Sequence, residues 1–189
     1  MIRLRSWVRL LLLLAALAFA WWMRTRGHWP QVYRATDASM APTVAPGAYF
    51  VATGPVRALR RGMLVIFRYQ DPDNDDVYHV LRRVVGLPGD TVAMREGRLL
   101  VDGRPAPWPF RVVDPKASRS AMVRGGDLFA VAPVRVPADS VYLLADTRDV
   151  AGWPDSRFIG PVPITALEAE ARRLLWSPGG GRFLKSLRD

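Results

Sequence analysis

The chain has 189 residues, enough for one domain with a hydrophobic core in addition to a short anchor. Its formal net charge of +10 comes from 27 basic residues, but all except two are arginines scattered beside apolar residues, a pattern typical of solvated surface rather than of a nucleic-acid-binding face. Because the chain contains no cysteine, disulfide bonds, thiolate metal sites and cysteine nucleophiles are excluded, and we expect no nucleic-acid partner, metal or cofactor.

An apolar run occupies residues 10–23 near the N-terminus. It extends back to Trp7 if the Arg9 side chain reaches the lipid headgroups, which brings it close to the ~20 residues of a membrane-spanning helix. Trp21 and Trp22 stand at its far end, where aromatic residues commonly mark the membrane interface. The run therefore predicts a segment that enters a lipid bilayer.

Basic residues are more numerous before this run than after it, which favours a cytoplasmic N-terminus. We expect a basic cytoplasmic segment over residues 1–9, a transmembrane signal-anchor over 10–26 and an exported β domain over 27–189. A cleavable signal peptide is the alternative, because an A-x-A pattern ends at Ala20.

The remainder of the chain has the composition of a mainly β fold. With 16 prolines and 15 glycines and few long helical periods, short strands joined by turns are expected. The second and third predicted strands are expected to pair with each other. Residues 107–136 show no clear period and are interpreted as an elaboration, whereas 166–176 have the local propensity of a helix. The predicted strands cover residues 32–35, 48–52, 62–69, 77–85, 91–94, 98–101, 104–106 and 142–145.

Ser39 is a candidate nucleophile. It lies in the irregular, proline-containing sequence DASMAPT at residues 37–43, shortly after the apolar run. The alternative is a serine that hydrogen-bonds its own loop or water, as most serines in such loops do. Motifs farther along the chain favour the first interpretation.

Three separated motifs together resemble the type I signal peptidases. They are SMAPT at residues 39–43, RRVVGLPGD at 82–90, and ADTRD at 145–149 followed by DSR at 155–157. In that family the corresponding sequences are S-M-x-P-T with the nucleophilic serine, K-R-V-V-G-L-P-G-D, and G-D-N-R-D-N-S-x-D-S-R. Eight of nine positions match in the second motif, and the motifs occur in the family's order.

The resemblance implies a mainly antiparallel β domain on the outer side of the membrane, which cleaves signal peptides after small residues. It also implies a strand, not a helix, for the segment that ends near Trp176, and we favour the strand because tertiary context often overrides a short helical preference. Asp146, Arg148, Asp155 and Arg157 are expected to position the strands around the site.

The chain departs from the family at the proton acceptor. The family pairs its serine with an unprotonated lysine, and here that position holds Arg82. A guanidinium is not deprotonated in proteins, so Arg82 marks the base position without the ability of a lysine to take the proton. Asp37 replaces a serine that often helps to bind the oxyanion, and Trp153 stands where the family has a serine that orients the lysine.

Two explanations of these departures are possible. In the first, Asp37 and Arg82 form an ion pair and the domain binds signal peptides with little turnover. In the second, another base serves Ser39, and His79 is the candidate because one branch of the family uses histidine. His79 lies three residues before Arg82, so in a regular strand their side chains point to opposite faces. Only a bulge between Tyr78 and Arg82 would bring His79 to the serine.

The primary hypothesis is therefore a single-pass membrane protein with a serine endopeptidase domain, with Ser39 as nucleophile, Arg82 at the base position, and the signal peptides of exported preproteins as substrates. The competing hypotheses are a catalytically weak or inactive homologue that binds signal peptides or a secretion partner, and a peptidase of the same family that matures conjugative pilins.

Overall fold

The computed structural model describes residues 6–25, 29–95, 98–106, 130–147, 154–178 and 185–187. Within them the helices are α1 Ser6–Thr25 and the short α2 Ser156–Ile159, with a 3-10 turn at Ile164–Ala166. The strands are β1 Gln31–Arg34, β2 Tyr49–Thr53, β3 Leu64–Gln70, β4 Val77–Gly86, β5 Thr91–Arg95, β6 Arg98–Val101, β7 Arg104–Pro105, β8 Val131–Arg135, β9 Ser140–Leu144, β10 Val162–Pro163, β11 Leu167–Trp176 and β12 Lys185–Ser186.

Helix α1 has the length and composition of a membrane span. Its 20 residues rise about 30 Å, the thickness of the hydrocarbon core of a bilayer. The part Trp7–Thr25 is apolar enough to cross a membrane, and none of it is buried against the rest of the protein. The helix is compatible with both a retained anchor and a cleavable signal.

The larger sheet contains eight strands in the order β1-β2-β11-β3-β4-β9-β10, with β12 added beside β11. All of its pairings are antiparallel. A smaller antiparallel sheet has the order β7-β6-β5-β8. The predicted mainly β, antiparallel fold is thus confirmed.

Strand β11 lies in the interior of the larger sheet, between β2 and β3. It pairs with β2 on one side and with β3 on the other, so the expectation that β2 and β3 pair directly is wrong. Two neighbours satisfy its backbone N–H and C=O groups, and the side chains of Leu167, Ala169, Ala171 and Leu174 enter the core. This environment outweighs the local helical propensity of the segment, and the strand that the family resemblance implied is confirmed.

The smaller sheet is built largely from the hairpins that the sequence predicted. Strands β6 and β7 are joined at Asp102 and Gly103, both of which have positive φ, as a tight hairpin turn requires. The predicted turn at residues 96–97 lies outside the described residues. The last part of the segment 107–136, interpreted from the sequence as an elaboration, forms strand β8 and pairs with β5. Residues 107–129 lie outside the described part of the chain.

The connection between the two sheets depends on two glycines of the RRVVGLPGD motif. A Cβ at Gly86 would lie 2.5 Å from Val92 Cγ2 and 3.0 Å from Tyr142 Cβ, so only glycine allows the end of β4 to pack this closely. Gly89 has φ +86°, which turns the chain back toward β5. The sequence predicted that strand β4 ends abruptly at this motif, and the close packing at Gly86 together with the turn at Gly89 explains why.

We expect Gly86→Ala to lower the free energy of unfolding by about 1–3 kcal/mol, because the added methyl group overpacks the contact between β4 and β5. Denaturant unfolding of the full chain in detergent micelles measures the change. Gly89→Asn is the matched control, since a Cβ there meets nothing within 4 Å and asparagine tolerates positive φ. An equal loss in both variants would contradict the packing explanation.

Candidate active site

Ser39 lies in the loop between β1 and β2, and its residue is only 1% exposed. The loop is closed by hydrogen bonds from Ala35 N to Ala48 O and from Val44 N to Met40 O, each 2.8 Å long. Met40 and Val44 enter the hydrophobic core beneath it. Although irregular, the loop is therefore held from below by apolar packing.

The chain that follows β9 fixes the same loop from the other side. Thr147 N donates a 2.9 Å hydrogen bond to Ser39 O. The Thr147 hydroxyl lies 2.9 Å from Ala38 O and 3.0 Å from Ala41 O, within hydrogen-bond distance of both carbonyls. Residues more than 100 positions apart in sequence thus determine where the Ser39 backbone lies.

A buried ion pair next to this contact connects the loop to β4. Arg83 donates through Nε and Nη2 to the two oxygens of Asp146 at 2.7 and 2.6 Å. The Thr43 hydroxyl donates to Asp146 at 2.6 Å, and Arg83 Nη1 donates to Gly62 O at 2.6 Å. Bidentate charge-assisted bonds of this kind fix geometry as well as contributing energy. They hold Arg83, the second of the two adjacent arginines of β4, away from Ser39.

Arg82, the first of the two, contacts Ser39 directly. Its Nη1 donates to Ser39 Oγ at 2.9 Å and to Leu81 O at 2.7 Å, and its Nε donates to Pro154 O at 3.0 Å. The residue is 2% exposed. The structure therefore brings together the two residues that the sequence proposed for the site, with the guanidinium as hydrogen-bond donor and the serine hydroxyl as acceptor.

The buried charges of Asp155 and Arg157 both act on Arg82. Asp155 is fully buried, pairs with Arg157 at 2.8 Å and caps helix α2. Burial alone would raise the pKa of Asp155, but Arg157 and Arg82 outweigh it and hold this pKa below its ordinary value. Burial lowers the pKa of Arg82, and the charges of Asp155 and Asp37 oppose that shift. Arg82 keeps its charge near neutral pH, since arginine is not deprotonated in proteins.

Asp37 lies on the solvent side of Ser39. Its Oδ1 accepts a 2.8 Å hydrogen bond from Ser39 N, the backbone donor that the proposed chemistry would need for an oxyanion. The residue is exposed, and its charge acts on Arg82. A carboxylate is thus bound to the backbone donor that would stabilise the negative charge developing during acyl transfer.

His79 lies away from this contact. The pairing of β3 with β4 is continuous from Gln70↔Val77 to Leu64↔Arg83, so the bulge that would turn His79 toward Ser39 does not occur. The His79 side chain is 54% exposed, and its Nδ1 lies 2.6 Å from Glu168 Oε2 on β11. Three residues correspond to about 10 Å along a strand. The structure therefore gives His79 a carboxylate partner on another strand and does not place it beside the serine.

Of the remaining positions singled out from the sequence, Trp153, Arg148 and Lys116 lie outside the described residues. Lys185 lies on β12, paired with Leu174. The sequence did not indicate the roles of Thr43, Arg83 and Thr147, nor the Pro154 carbonyl that accepts from Arg82. All of these contacts join distant parts of the chain, so no local pattern could have revealed them.

A groove of about 610 Å³ leads away from Ser39 and Arg82. One wall consists of residues 33–37, which continue from β1, and the other of residues 77–82 of β4. Met40, Phe50 and Ile66 supply an apolar floor. Among the described strands, β1 pairs only with β2, and residues 77–82 pair only with β3. The groove therefore has backbone edges on both walls that can pair with an extended peptide.

Comparisons with known proteins agree with the sequence motifs. The family described as "Signal peptidase, peptidase S26" matches residues 4–176. The chain is 30% identical to a signal peptidase I of Bacillus licheniformis over 147 residues, which cover 76% of this chain and 73% of that protein. It is 32% identical to a signal peptidase I of Leptolyngbya laminosa over 110 residues, 55% of this chain and 46% of that protein. A crystal structure of a signal peptidase I from Enterococcus faecalis is 19% identical with a TM-score of 0.39, covering 61% of this chain and 98% of that one.

The buried pair of Asp155 and Arg157 predicts a defined acid dependence of stability. At pH 7, Asp155→Asn should lower the free energy of unfolding by about 3–5 kcal/mol, because Arg157 loses its buried partner. The pKa of Asp155 is lower in the folded than in the unfolded chain, so its contribution is complete above the ordinary value near 3.8 and is lost as the pH falls through the folded pKa. Denaturant unfolding from pH 7 to pH 2 should show the wild type and the variant converging, whereas the exposed turn variant Asp73→Asn keeps the wild-type profile. A constant gap over this pH range would show that folding does not shift the pKa of Asp155.

Proposed function

Because the chain belongs to the signal peptidase family (peptidase S26), we propose that it is a membrane-anchored serine endopeptidase that removes signal peptides from exported preproteins and cleaves after small residues of the A-x-A type. The observation that carries this proposal is the position of the Ser39 hydroxyl. It lies at one end of a groove whose two walls each pair with a single neighbour among the described strands, and it contacts the side chain at the family's base position. Helix α1 supports the anchoring.

The groove suits an extended peptide with small side chains near the cleavage point. Backbone pairing with residues 77–82 or with β1 supplies affinity without regard to sequence, and the pockets under alternate side chains supply specificity. The apolar floor of Met40, Phe50 and Ile66 lies under the Ser39 end. An alanine side chain of the peptide is compatible with this apolar floor. Peptide residues farther along the groove would face Tyr69, Asp71 and Tyr78.

In the proposed reaction, Ser39 Oγ attacks the scissile carbonyl and forms an acyl-enzyme, while its proton passes to the amine of the departing mature protein. Water then hydrolyses the ester and releases the signal peptide. Ser39 N–H is the oxyanion donor once Asp37 has moved into solvent. Arg82 stabilises negative charge on Oγ but does not accept its proton, so removal of that proton limits the rate.

Anchoring determines where the reaction takes place. With the basic segment in the cytoplasm and α1 across the bilayer, β1 starts six residues after the helix ends, and the groove lies on the outer side, where preproteins emerge. The proposed partners are therefore the lipid bilayer and the signal peptides of preproteins in transit.

The full chain in detergent micelles, incubated with a preprotein carrying an A-x-A site, should produce the mature protein slowly. Ser39→Ala should abolish cleavage, and Arg82→Lys should increase the rate at least tenfold, since a positioned general base contributes about 10²–10⁴-fold. Arg68→Lys, on the exposed side of β3, is the matched control and should leave the rate unchanged. Equal rates for the wild type and Ser39→Ala would exclude Ser39 as the nucleophile.

A second candidate function, signal-peptide binding without turnover, is favoured by the hydrogen bonds of Ser39. Its hydroxyl accepts a hydrogen bond from Arg82, a cation that cannot take the hydroxyl proton. Its N–H, the donor that an oxyanion would need, is bound to the carboxylate of Asp37. The apolar floor of the groove takes no part in these contacts.

This candidate predicts that the wild type binds an A-x-A peptide yet forms no product even after prolonged incubation. It further predicts that Arg82→Lys with Asp37→Ser, which restores an amine and a hydroxyl, gives cleavage that neither single variant reaches. Mass spectrometry of the preprotein after incubation with each variant is the measurement. Cleavage by the wild type that Ser39→Ala abolishes would reject the binding-only function.

A further inference from the structure

The outward side of strands β1, β2 and β11 carries exposed apolar and aromatic residues. Tyr49 and Val51 leave β2 on the side opposite the buried Phe50. Tyr49 pairs with Trp176 of β11, and the centroids of the two rings lie 6.2 Å apart, whereas Val51 pairs with Val32 of β1. Val32 is 60% exposed, Trp176 48% and Tyr49 40%. We call Val32, Tyr49, Val51 and Trp176 the aromatic face, a patch of the kind that marks a contact with another apolar surface.

Two arginines border the aromatic face. Arg34 pairs with Tyr49 and Arg173 with Val51, so the arginines lie in the same two rows of the sheet. Both are exposed, and among the described residues neither forms an ion pair. The next row contains the acidic residue Glu170, which is buried and already bound by two arginines. The charge along this side of the sheet is therefore positive.

This combination of side chains suits the surface of a lipid bilayer. Tryptophan and tyrosine are enriched at the depth of the headgroups, because one part of each ring system is apolar and the other is polar. Arginine stems lie along apolar surface while their guanidinium groups reach phosphate oxygens. The aromatic face and its two arginines together therefore match both layers of a membrane interface.

The connection to helix α1 keeps the aromatic face near a membrane. Helix α1 ends at Thr25 and β1 begins at Gln31. Six residues span at most about 20 Å when fully extended. Trp29, which is 48% exposed, lies within this connection, and Val32 is the second residue of β1. A bilayer crossed by α1 is thus always within reach of this face, which favours lipid over a soluble partner as its occupant.

We propose that the aromatic face, together with Arg34 and Arg173, lies on the membrane surface at the depth of the phospholipid headgroups. The inference rests on the anchoring by α1 in the proposed function, and it goes beyond that function by assigning the face of the domain that contacts lipid. Tyr33 and Phe50, which leave β1 and β2 on the other side, line the groove. The groove therefore faces away from the lipid.

Spin labels test the inference in the full chain. The protein contains no cysteine, so one introduced cysteine takes a single nitroxide label. Val32→Cys and Trp176→Cys report on the aromatic face, and Val77→Cys, also an exposed strand residue, is the matched control. Each variant is placed as a single copy in nanodiscs of phosphatidylcholine and phosphatidylglycerol. The collision rates of the label with oxygen, which enters lipid, and with a water-soluble nickel chelate are then measured.

The nickel collision rate at positions 32 and 176 should be several-fold lower than at position 77, and the oxygen collision rate should be higher. Arg34→Gln combined with Arg173→Gln should raise the nickel rate at position 32, whereas Arg68→Gln on β3 should not. If Trp176→Cys does not fold, as judged by circular dichroism, position 32 still decides the question. Equal nickel rates at 32 and 77 overturn the inference. Protection that occurs in crowded vesicles but not in single-copy nanodiscs also overturns it, because the occupant is then a second copy of the chain.

Failure of this inference is distinguishable from failure of the proposed function. A label at Leu14→Cys, within α1, should be protected from nickel by the bilayer core. Protection at position 14 with exposure to water at 32 and 176 rejects the lipid contact and leaves the anchor. Protection at 32 and 176 in a protein that does not cleave a preprotein rejects the peptidase and leaves the lipid contact.

Discussion

The site depends on the buried ion pair between Arg83 and Asp146. Through one guanidinium and one carboxylate it joins β4, the chain after β9, the Ser39 loop at Thr43 and the turn before β3 at Gly62. Burying two charges carries a large desolvation penalty, which is compensated here because both carboxylate oxygens and several guanidinium N–H groups have partners. Loss of either member would leave a buried charge and remove a contact that holds the Ser39 loop together with the Thr147 hydrogen bonds and the packing of Met40 and Val44.

The two adjacent arginines of β4 show how a strand separates chemical roles. Consecutive side chains leave a strand on opposite faces, so Arg83 turns toward Asp146 and Arg82 toward Ser39 and the groove. Arg83 is neutralised by a partner in direct contact. The described hydrogen bonds of Arg82 go to a hydroxyl and to two backbone carbonyls, and the carboxylates of Asp155 and Asp37 act on its charge. One sequence motif thus supplies both a structural cation and a cation directed into the groove.

The family resemblance implies a lysine where this chain has Arg82, and the exchange reverses the hydrogen-bonding character of the position. A neutral lysine amine can accept a proton from serine, but a guanidinium has donors only. Asp37 completes the reversal, because it presents a carboxylate where a developing oxyanion needs a donor. The apolar floor and the contacts of Thr147 and Asp146 with the Ser39 loop involve neither residue. In the proposed function, peptide recognition and bond cleavage therefore depend on different groups of residues.

The sequence by itself determined the family, the β character of the domain, the helix near the N-terminus and the pairing of Ser39 with Arg82, because these are carried by composition, an apolar run and ungapped motifs. It also placed His79 on the face opposite Arg82, since strand periodicity is local. Only the tertiary structure decided that β11 separates β2 from β3, that Thr147 and Asp146 hold the Ser39 loop, and that Asp37 occupies the Ser39 N–H. The strand order and the loop contacts join residues more than 100 positions apart, and the Asp37 contact depends on the loop conformation that they impose. No periodicity or spacing in the chain encodes these arrangements.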